Sequence, residues 1–338
     1  MQPKTFSQNP SEAEFRALAE FNKRLQLESH PDDPLRSLEA HMAMFKAGQV
    51  LKDQRLEHHT LTQADQIIAL LSCQIEMRPF NRHLMRADIR VLPEYRRQGL
   101  AKQLLSQLLK VAKEYDRTII LGAGHDRAPA GKAFAQRLGA KAASQVCENR
   151  LELNKVAHVE TWLEEAKEKS KDFYLEFCEG SYPEKELEPI CRLIESMNDA
   201  PIDDLALDPF RVTPEMVRNF ESYFETRGLK RWVYFVRHRE SHDFAGFSVV
   251  FFDRFNPKVL IQDDTSVISQ YRGHALGRYL KAAMLDKVRR ERPEIKTIST
   301  HNAVSNRYML AINHAMGFKP YLTIDLWQLE RAQLETYL

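Results

Sequence analysis

The sequence predicts an α+β fold made of two tandem domains, each a mixed, mostly antiparallel sheet flanked by helices. One observation behind this is an internal repeat. The stretch IRVLPEYRRQGLAKQLLSQLL, starting at position 89, recurs as TSVISQYRGHALGRYLKAAML, starting at position 265. Equivalent positions such as Arg96 and Arg272 lie 176 residues apart, and RLGA and AMGF place Gly139 and Gly317 at an offset of 178. So long a period is typical of two copies of one domain rather than of a solenoid.

The order of elements in the second copy is the other observation. KELEPICRLIESMN and PEMVRNFESYFET have apolar residues at helical spacing, and the β-rich runs WVYFVR, FAGFSVVFF and KVLIQDDTSVI predict an antiparallel meander. A helix with Leu276, Leu280, Met284 and Val288 on one face follows and is closed by Pro293. The strand IKTIST, the helix SNRYMLAINHAM and the strand YLTIDLWQL complete the copy. One β-α-β crossover after a meander gives a mixed sheet.

The boundary between the copies is expected where the repeat lapses. The segment VETWLEEAKEKSKD, from Val159 to Asp172, is charge-rich and predicts a connecting helix. We therefore expect an N-terminal domain over residues 1–157, a connecting helix over 158–172 and a C-terminal domain over 173–338.

Composition excludes several classes of protein. The 338 residues carry a net charge of +2 with 28% charged residues, so there is no basic excess for binding nucleic acid. No apolar run is long enough to span a bilayer, and the first residues lack the apolar segment of a secretory signal. The four cysteines show no CxxC spacing, so we expect reduced thiols rather than disulfides or metal ligands. The expectation is a cytoplasmic protein without a metal, a membrane partner or a nucleic-acid partner.

The most informative motif is the basic turn RGHALG at 272–277, between a strand and a helix. A helix start presents unpaired N–H groups and a partial positive charge, which suit an anion. Small residues at 273, 275 and 277 admit a ligand close to the backbone, and Arg272 and Arg278 can bind phosphate oxygens. A tight turn without a ligand explains one such stretch equally well, but the second copy in the same register favours a pyrophosphate site.

Other phosphate-binding loops fit poorly. The ATP-type loop GxxxxGK[ST] is absent. The stretch LGAGHDRAPAG starts like a dinucleotide fingerprint with Gly122 and Gly124, but Arg127 stands where the third glycine belongs.

These residues resemble a GCN5-related N-acetyltransferase (GNAT) domain, and the resemblance covers nearly the whole chain as a tandem pair, in a plan similar to that of the mycothiol synthases. The family signature [QR]xxGx[GA] begins at Arg96 in the first copy and at Arg272 in the second. In the second copy it is accompanied by Val267, Tyr271, Asn306, Gly317 and Phe318. The resemblance implies that the turn holds the pyrophosphate of acetyl-CoA. It also implies that the pantetheine lies in a V-shaped gap between the strand ending near Val267 and the strand IKTIST.

The resemblance further implies two sets of residues that bind acetyl-CoA, the co-substrate. Those of the second copy are Thr265, Val267, Arg272, Gly273, His274, Ala275, Leu276, Gly277, Arg278, Asn302 and Asn306. Those of the first copy are Val91, Arg96, Arg97, Gln98, Gly99, Leu100 and Ala101.

Departures from the family pattern distinguish the two copies. Ala275 stands where the signature has its first glycine, and Asn313 stands where the family often has a tyrosine that protonates the departing thiolate. The first copy keeps its turn but has Ala128 and Ala135 at the counterparts of Asn306 and Asn313. We therefore expect the chemistry to belong to the second copy and the first copy to be degenerate.

Transfer to an amine requires a base, because an alkyl amine is protonated near neutral pH. Asp263 and Asp264 precede the turn, and successive residues of a strand point to opposite faces, so at most one should face the substrate. We expect Asp263 to do so, with solubilising charge at a strand edge as the alternative. The other predicted catalytic residues are Asn313 and Tyr308. Tyr308 and Tyr321 are candidates to replace the missing tyrosine, with simple packing as the alternative for each.

Three further features leave alternatives open. Backbone N–H groups near Thr265 and Val267 are candidates to polarise the thioester carbonyl. Asn302 and Asn306 flank a helix start, so one is expected to be its N-cap and the other to bind pantetheine amides. His301 is either a proton shuttle or a solvated loop residue.

The sequence therefore predicts an N-acetyltransferase that moves an acetyl group from acetyl-CoA to an amine of a small molecule or peptide. The alternative is a non-catalytic module or sensor that binds CoA thioesters. The acidic segment MNDAPIDDLALDPF would lie near the acceptor in this fold. A cationic acceptor is accordingly one hypothesis and an acidic surface loop the other.

Overall fold

The computed structural model of the chain describes residues 2–156 and 159–338. Its helices are α1 (Glu12–Ser29), α2 (Leu38–Val50), α3 (Leu100–Glu114), α4 (Pro129–Arg137), α5 (Val159–Lys169), α6 (Leu187–Glu195), α7 (Pro214–Arg227), α8 (Leu276–Glu291), α9 (Arg307–Ala315) and α10 (Arg331–Tyr337). Its strands are β1 (Lys4–Thr5), β2 (Gln54–Gln63), β3 (Gln66–Glu76), β4 (Leu84–Val91), β5 (Ile119–His125), β6 (Lys141–Glu152), β7 (Phe173–Glu179), β8 (Leu229–His238), β9 (Phe244–Asp253), β10 (Val259–Val267), β11 (Thr297–Ala303) and β12 (Lys319–Glu330).

The chain forms two compact units that interleave along the sequence. The first comprises residues up to 146 together with 202–208 and 322–338, and the second comprises 147–201 and 209–321. The predicted domain boundaries differ from this division, because the predicted connecting helix, α5, belongs to the second unit and most of β12 belongs to the first. Strand pairing is the physical reason, since each unit takes the last strand of its sheet from the opposite half of the sequence.

The sheet of the first unit has the strand order β1-β2-β3-β4-β5-β12. Strands β2, β3 and β4 form an antiparallel meander, and β4 pairs in parallel with β5 after the crossover through α3. Strand β12 then pairs antiparallel with β5. The core lies between this sheet and α3, where Leu104 and Leu108 are buried together with Met85 and Ile120.

The second unit repeats this plan with the strand order β7-β8-β9-β10-β11-β6. The predicted meander β8-β9-β10 and the parallel crossover from β10 through α8 to β11 are both confirmed. The predicted apolar face of α8 is also confirmed, because Leu276, Leu280, Met284 and Val288 are all buried. Strand β7 was missed by the sequence analysis and pairs antiparallel with β8. The predicted α+β fold of two mixed sheets flanked by helices is therefore confirmed.

Two expectations from composition concern thiols and membranes. All four cysteines are free, and Cys73, Cys147 and Cys191 are buried. Within the two described ranges, no helix is both long enough and apolar enough to cross a membrane.

Candidate active site

The second unit contains a V-shaped gap between β10 and β11. The two strands pair in parallel over Val259–Gln262 and Thr297–Thr300. Beyond these residues β10 stays paired with β9 as far as Val267, while β11 runs on to Ala303. The carboxyl ends of two neighbouring parallel strands therefore separate, and such a crevice is a common ligand site in sheets of this kind.

A β-bulge lies in β10 where the gap opens. The register with β9 shifts between Gln262 and Thr265, so that Asp263 and Asp264 together oppose a single residue, Val249. The side chain of Gln262 is buried there, and its amide donates to the carbonyl oxygen of Val249 at 2.8 Å. A bulge interrupts the alternation of side chains, and both aspartates are among the residues that line one cavity. The prediction that at most one of their side chains faces the substrate stays a prediction.

The turn after β10 has the backbone geometry of an anion site. Gly273 has a φ of 92° and Ala275 a φ of 58°, so both are left-handed. Helix α8 begins directly after Ala275, and no side chain caps it. Its first N–H groups therefore lack intrahelical partners and point out of the helix start. This conformation costs glycine little but costs alanine about 1 kcal/mol.

These elements surround a cavity of about 460 Å³ in the second unit. β10 lines it with residues 261–267, and Ser196 and the start of the acidic segment line it with Met197 and Asp199–Pro201. The remaining lining residues are Tyr271, Arg272, Gly273, Leu276, Gly277, Lys281, Thr300, His301, Asn302, Asn306, Tyr308 and Met309. Most residues predicted for the second-copy site are thus brought together in one place.

Several predicted residues are not part of this cavity wall. His274 turns away from it, because its ring lies 5.4 Å from the ring of Phe173 and its carbonyl accepts a hydrogen bond from Ser170 at 2.8 Å. Ala275 and Arg278 also lie outside the lining residues. The backbone of the turn, rather than every side chain in it, therefore forms the wall.

Arg272 forms one side of the turn. Its Nε donates to the carbonyl oxygen of Val267 at 3.1 Å, and its guanidinium donates to the carboxylate of Asp199 at 2.8 Å. Both side chains of this ion pair are about half exposed, at 52% and 50%. Pairs this exposed contribute at most about 1 kcal/mol. An anion in the cavity can therefore compete with Asp199 for the guanidinium.

The two aspartates of the bulge titrate as an interacting pair. Burial raises the pKa of Asp264, and the neighbouring Asp263 carboxylate raises it further, to about 7. Asp263 is exposed and Asp264 only partly so, and we therefore assign the shared proton to Asp264. Near neutral pH this carboxyl group can both accept and release a proton.

The predicted asparagines have structural partners. Asn306 is the N-cap of α9, because its side chain accepts from the backbone N–H of Met309 at 3.1 Å. Asn302 accepts from the amide of Asn313 at 2.7 Å. Asn313 is fully buried and is not among the lining residues, so the expectation of a direct catalytic role for it needs correction. Its geometry is that of a residue that positions Asn302.

The remaining predicted polar residues lie at the edge of the cavity or away from it. Tyr308 lines the cavity and is 69% exposed. His301 is half exposed, and its Nε2 lies 3.8 Å from the carboxylate of Glu148. Tyr321 is not a lining residue and packs under the guanidinium of Arg150 at 3.5 Å.

Only the start of the acidic segment 197–210 lines the cavity. Its lining residues are Met197, Asp199, Ala200 and Pro201, so Asp199 is the one of its four aspartates in the cavity wall. The other three aspartates fall in residues 202–208, which belong to the first unit, where Asp204 forms an ion pair with Lys141 at 2.8 Å. The hypothesis that this segment faces the acceptor is therefore wrong for most of its charge.

Lys281 lines the cavity and was missed by the sequence analysis. It is 3% exposed, and burial lowers its pKa to about 7. A signal was present in the repeat, since the offset of 176 aligns Lys281 with Leu105, which is 1% exposed. When a lysine aligns with a core leucine of the other copy, the alignment predicts a buried amino group.

The first unit has the same gap and turn. Strands β4 and β5 pair in parallel over Leu84–Arg86 and Ile119–Leu121 and then separate. Arg97 has a φ of 63° and Gly99 a φ of 79°, and α3 begins directly after Gly99 without a side-chain cap. The register between β3 and β4 is continuous up to Val91, however, so the first unit has no bulge in this strand pair.

Comparison with known proteins gives one family and several structures. Residues 15–140 match the family model described as the acetyltransferase (GNAT) family. A search of curated protein sequences found no match. A solved tandem GNAT protein from the clavulanic acid biosynthesis pathway, without AcCoA, is 22% identical with a TM-score of 0.78; the alignment covers 98% of this chain and 99% of that one.

Two further solved structures share the fold. A GCN5-related N-acetyltransferase from Sphaerobacter thermophilus is 13% identical with a TM-score of 0.65, and 98% of this chain and 97% of that chain are covered. A GCN5-related glucosamine N-acetyltransferase region of a fungal multi-domain GH3 β-N-acetylglucosaminidase is 11% identical with a TM-score of 0.67. That alignment covers 97% of this chain and 38% of the larger protein. At these identities the likenesses establish the fold, and the likeness to mycothiol synthases stays a prediction.

Proposed function

We propose that the second unit transfers an acetyl group from acetyl-CoA to an amine of a small molecule or peptide, because residues 15–140 match the GNAT family model and the chain has the fold of a tandem GNAT protein. Family and fold indicate acyltransferase activity in general. The observation that carries the finer proposal is the gap between β10 and β11, which opens at a bulge with two carboxylates and adjoins the uncapped start of α8. Unpaired strand edges suit the amides of pantetheine, and a helix start suits a pyrophosphate.

Asp264 is the proposed base. An amine acceptor must lose a proton to attack the thioester carbonyl, and its free pKa is near 10.4. A carboxyl group with a pKa of about 7 is a far better base near neutral pH than an ordinary aspartate. Asp263, on the same wall, carries a negative charge that would hold a protonated amine beside Asp264 before transfer. This arrangement supports a cationic acceptor more directly than the acidic segment does.

The turn and the neighbouring strand are the proposed coenzyme site. Gly273 and Gly277 leave the backbone accessible in the cavity wall, and Arg272 supplies a charge that can exchange Asp199 for phosphate. Thr265, Val267, Asn302 and Asn306 lie along the gap, where the pantetheine would run. We propose a cytoplasmic location as well, a setting that suits four free thiols.

A substitution at Gly277 tests the coenzyme site. The Cβ atom of an added side chain would lie 3.5 Å from the nearest atom, Cδ1 of Ile312, so Gly277→Ala should fold and bind normally. Gly277→Glu should weaken acetyl-CoA binding by about 10- to 100-fold, because a carboxylate would face the pyrophosphate across the turn. Isothermal titration calorimetry of both variants measures this. Equal affinities for the two variants would contradict the site.

Turnover separates the enzyme from a binding module. We expect CoA thiol release when the protein is supplied with acetyl-CoA and a panel of mono- and polyamines, and no release above the rate of hydrolysis when the amine is omitted. Acetyl-CoA binding without release for any amine would instead support a module that binds CoA thioesters. Loss of binding in Gly277→Glu together with full turnover would place the chemistry outside this cavity.

A further inference from the structure

We propose that Lys281 is the acid that protonates the CoA thiolate as it leaves, an inference that rests on the proposed acetyl transfer in the second unit. The position is at the apex of the gap. Lys281 and Gln262 line the main cavity and also a small interior cavity of about 10 Å³. Gln262 is the residue after which β10 separates from β11. Lys281 follows Gly277 by about one turn of α8, so its side chain starts one turn deeper than the pyrophosphate site.

The ammonium group has no anionic partner in the part of the chain that the structure describes. The ammonium lies over the ring of Phe318, whose centroid is 5.5 Å from Nζ. The interior cavity around it is otherwise lined by apolar residues of β6, β9, β10, α8, β11 and the segment after α9, namely Leu151, Val250, Leu260, Met284, Leu285, Val288, Ile298, Met316 and Phe318. A lysine in such surroundings favours its neutral form and gains from any anion brought beside it.

The other charged and titratable groups of the cavity lie on different elements. They are Asp199 of the acidic segment, Asp263 and Asp264 of β10, Tyr271 and Arg272 of the turn, His301 of β11 and Tyr308 of α9. None of them forms an ion pair with Lys281 in the described structure, and burial is the cause of its lowered pKa. The negative charge that Lys281 would meet is therefore supplied by the reaction.

A thioester reaction generates that charge at the sulfur. Asn313 occupies the position at which the GNAT family often has a tyrosine that acts as an acid. The amide of Asn313 is too weak an acid for this role, and the residue is not part of the cavity wall. Tyr308 is 69% exposed at the edge of the cavity. A lysine with a pKa of about 7 is a stronger acid than a thiol of pKa about 8.5, so proton transfer from its ammonium to the thiolate is favourable.

The step balances as follows. Asp264 first takes one proton from the protonated amine and passes it to solvent. The neutral nitrogen then forms a bond to the carbonyl carbon and gives a second proton to Asp264. When the tetrahedral intermediate collapses, the carbon–sulfur bond breaks, its electron pair moves to sulfur, and Lys281 gives its proton to that sulfur. The products are an amide and the CoA thiol. Solvent removes the proton from Asp264 and returns one to Lys281.

The test measures the pH dependence of kcat for acetyl transfer to an amine accepted by the full-length protein. Lys281 must be protonated to act, so we expect the kcat of the wild type to fall as pH rises above about 7. Lys281→Met should lower kcat by about 10- to 100-fold and should lose this fall, while its acetyl-CoA affinity measured by calorimetry stays near that of the wild type. Lys287→Met, on the same helix but paired with Glu291, should behave as the wild type.

The outcomes are distinguishable. A wild-type kcat that does not fall above about pH 7 overturns the role of Lys281, whether or not the variant folds. The same fall in wild type and Lys281→Met, with acetyl-CoA bound to both, also overturns it and leaves the proposed acetyl transfer standing. Failure of the wild-type protein to transfer an acetyl group to any amine would overturn the proposed function, and this inference with it.

Discussion

In the first unit, β4 runs past β5 in unbroken register with β3, whereas in the second unit β10 breaks register with β9 at the equivalent place. The offset of 176 aligns Ala87 and Asp88 with Asp263 and Asp264. Without a bulge, Asp88 pairs with Arg90 of its own strand at 2.9 Å. With a bulge, two successive aspartates line one cavity and perturb each other. The comparison teaches that a mismatch of one residue between two paired strands, on an otherwise duplicated scaffold, is enough to give two successive aspartates that interact.

The ion pairs at the two turns also distinguish the two units. Arg96 donates to both carboxylate oxygens of Glu28 at 2.6 Å, and this pair is 26% and 21% exposed. Arg127, after β5, donates to the carbonyl oxygen of Ser29 at 2.7 Å. The end of α1 is thus tied to the turn and to the loop after β5 in the first unit, whereas Arg272 in the second is held by one exposed carboxylate. In the first unit, side-chain contacts therefore fix the residues around the gap, whereas in the second unit the gap is accessible to a ligand.

The largest expected effect that would test this contrast comes from the bulge. Asp264→Asn should lower the rate of acetyl transfer by about 10²- to 10⁴-fold, because the variant lacks the base, while Asp88→Asn should leave the rate unchanged. In the wild type the rate should rise as pH increases towards about 7, where Asp264 loses its proton, and fall above it, where Lys281 loses its proton. Asp263→Asn removes the neighbouring charge, so this rise should move to lower pH. A thiol-release assay across pH measures the rates of the three variants. Equal losses of activity in Asp264→Asn and Asp88→Asn would contradict the difference between the two units.

A second expected effect concerns stability and the pair Leu105 and Lys281. Burial lowers the pKa of Lys281 from 10.5 to about 7, so between these pH values the unfolded chain binds more protons than the folded one. The free energy of unfolding should therefore rise with pH across this window. Lys281→Leu should abolish the rise and add on the order of 3 kcal/mol near pH 7. Urea unfolding at several pH values measures this, with Lys287→Met as the control; a slope that survives in Lys281→Leu would count against a buried amine.

The smallest expected effect is in the turns. Each copy has two left-handed residues, and each fills one with glycine: Gly99 beside Arg97 in the first, Gly273 beside Ala275 in the second. Ala275→Gly and Arg97→Gly should each add about 0.5–1 kcal/mol to the free energy of unfolding, because strain in the left-handed backbone is relieved. Urea unfolding detects such changes. Destabilisation by both would show that side-chain contacts outweigh the strain.

The duplication, the meander, the crossover and the turns could all be predicted from sequence, because hydrophobic spacing and a repeated motif are local signals. The same holds for Asn306 as a helix cap. The sequence shows that Ala275 replaces the first glycine of the family signature, but it does not explain why this is tolerated. The backbone angles explain it, because Gly273 takes the other left-handed position of the turn.

The bulge could not be predicted, since the register of two strands depends on their pairing rather than on either sequence alone. Asp263 and Asp264 were therefore assigned to opposite faces by ideal alternation. The burial of Asn313 and the place of the acidic segment depend on contacts between distant parts of the chain, such as that of Asp204 with Lys141. Lys281 escaped notice because it directly follows Leu280 of the apolar face, although its alignment with Leu105 was available in the repeat.

Strands β12 and β6 set a limit on how the molecule can be dissected. A fragment that ends at the midpoint of the sequence would keep β5 but lose β12, its antiparallel neighbour, and a fragment that starts there would keep β11 but lose β6. Each half-protein would then expose a row of unpaired backbone groups along a strand that is normally interior, a template for aggregation. The sequence contains two copies of one domain, but each copy takes one strand of its sheet from the other half of the sequence. Neither half can therefore be tested as a separate fragment, and activity should be assigned to a copy by point substitution in the intact chain.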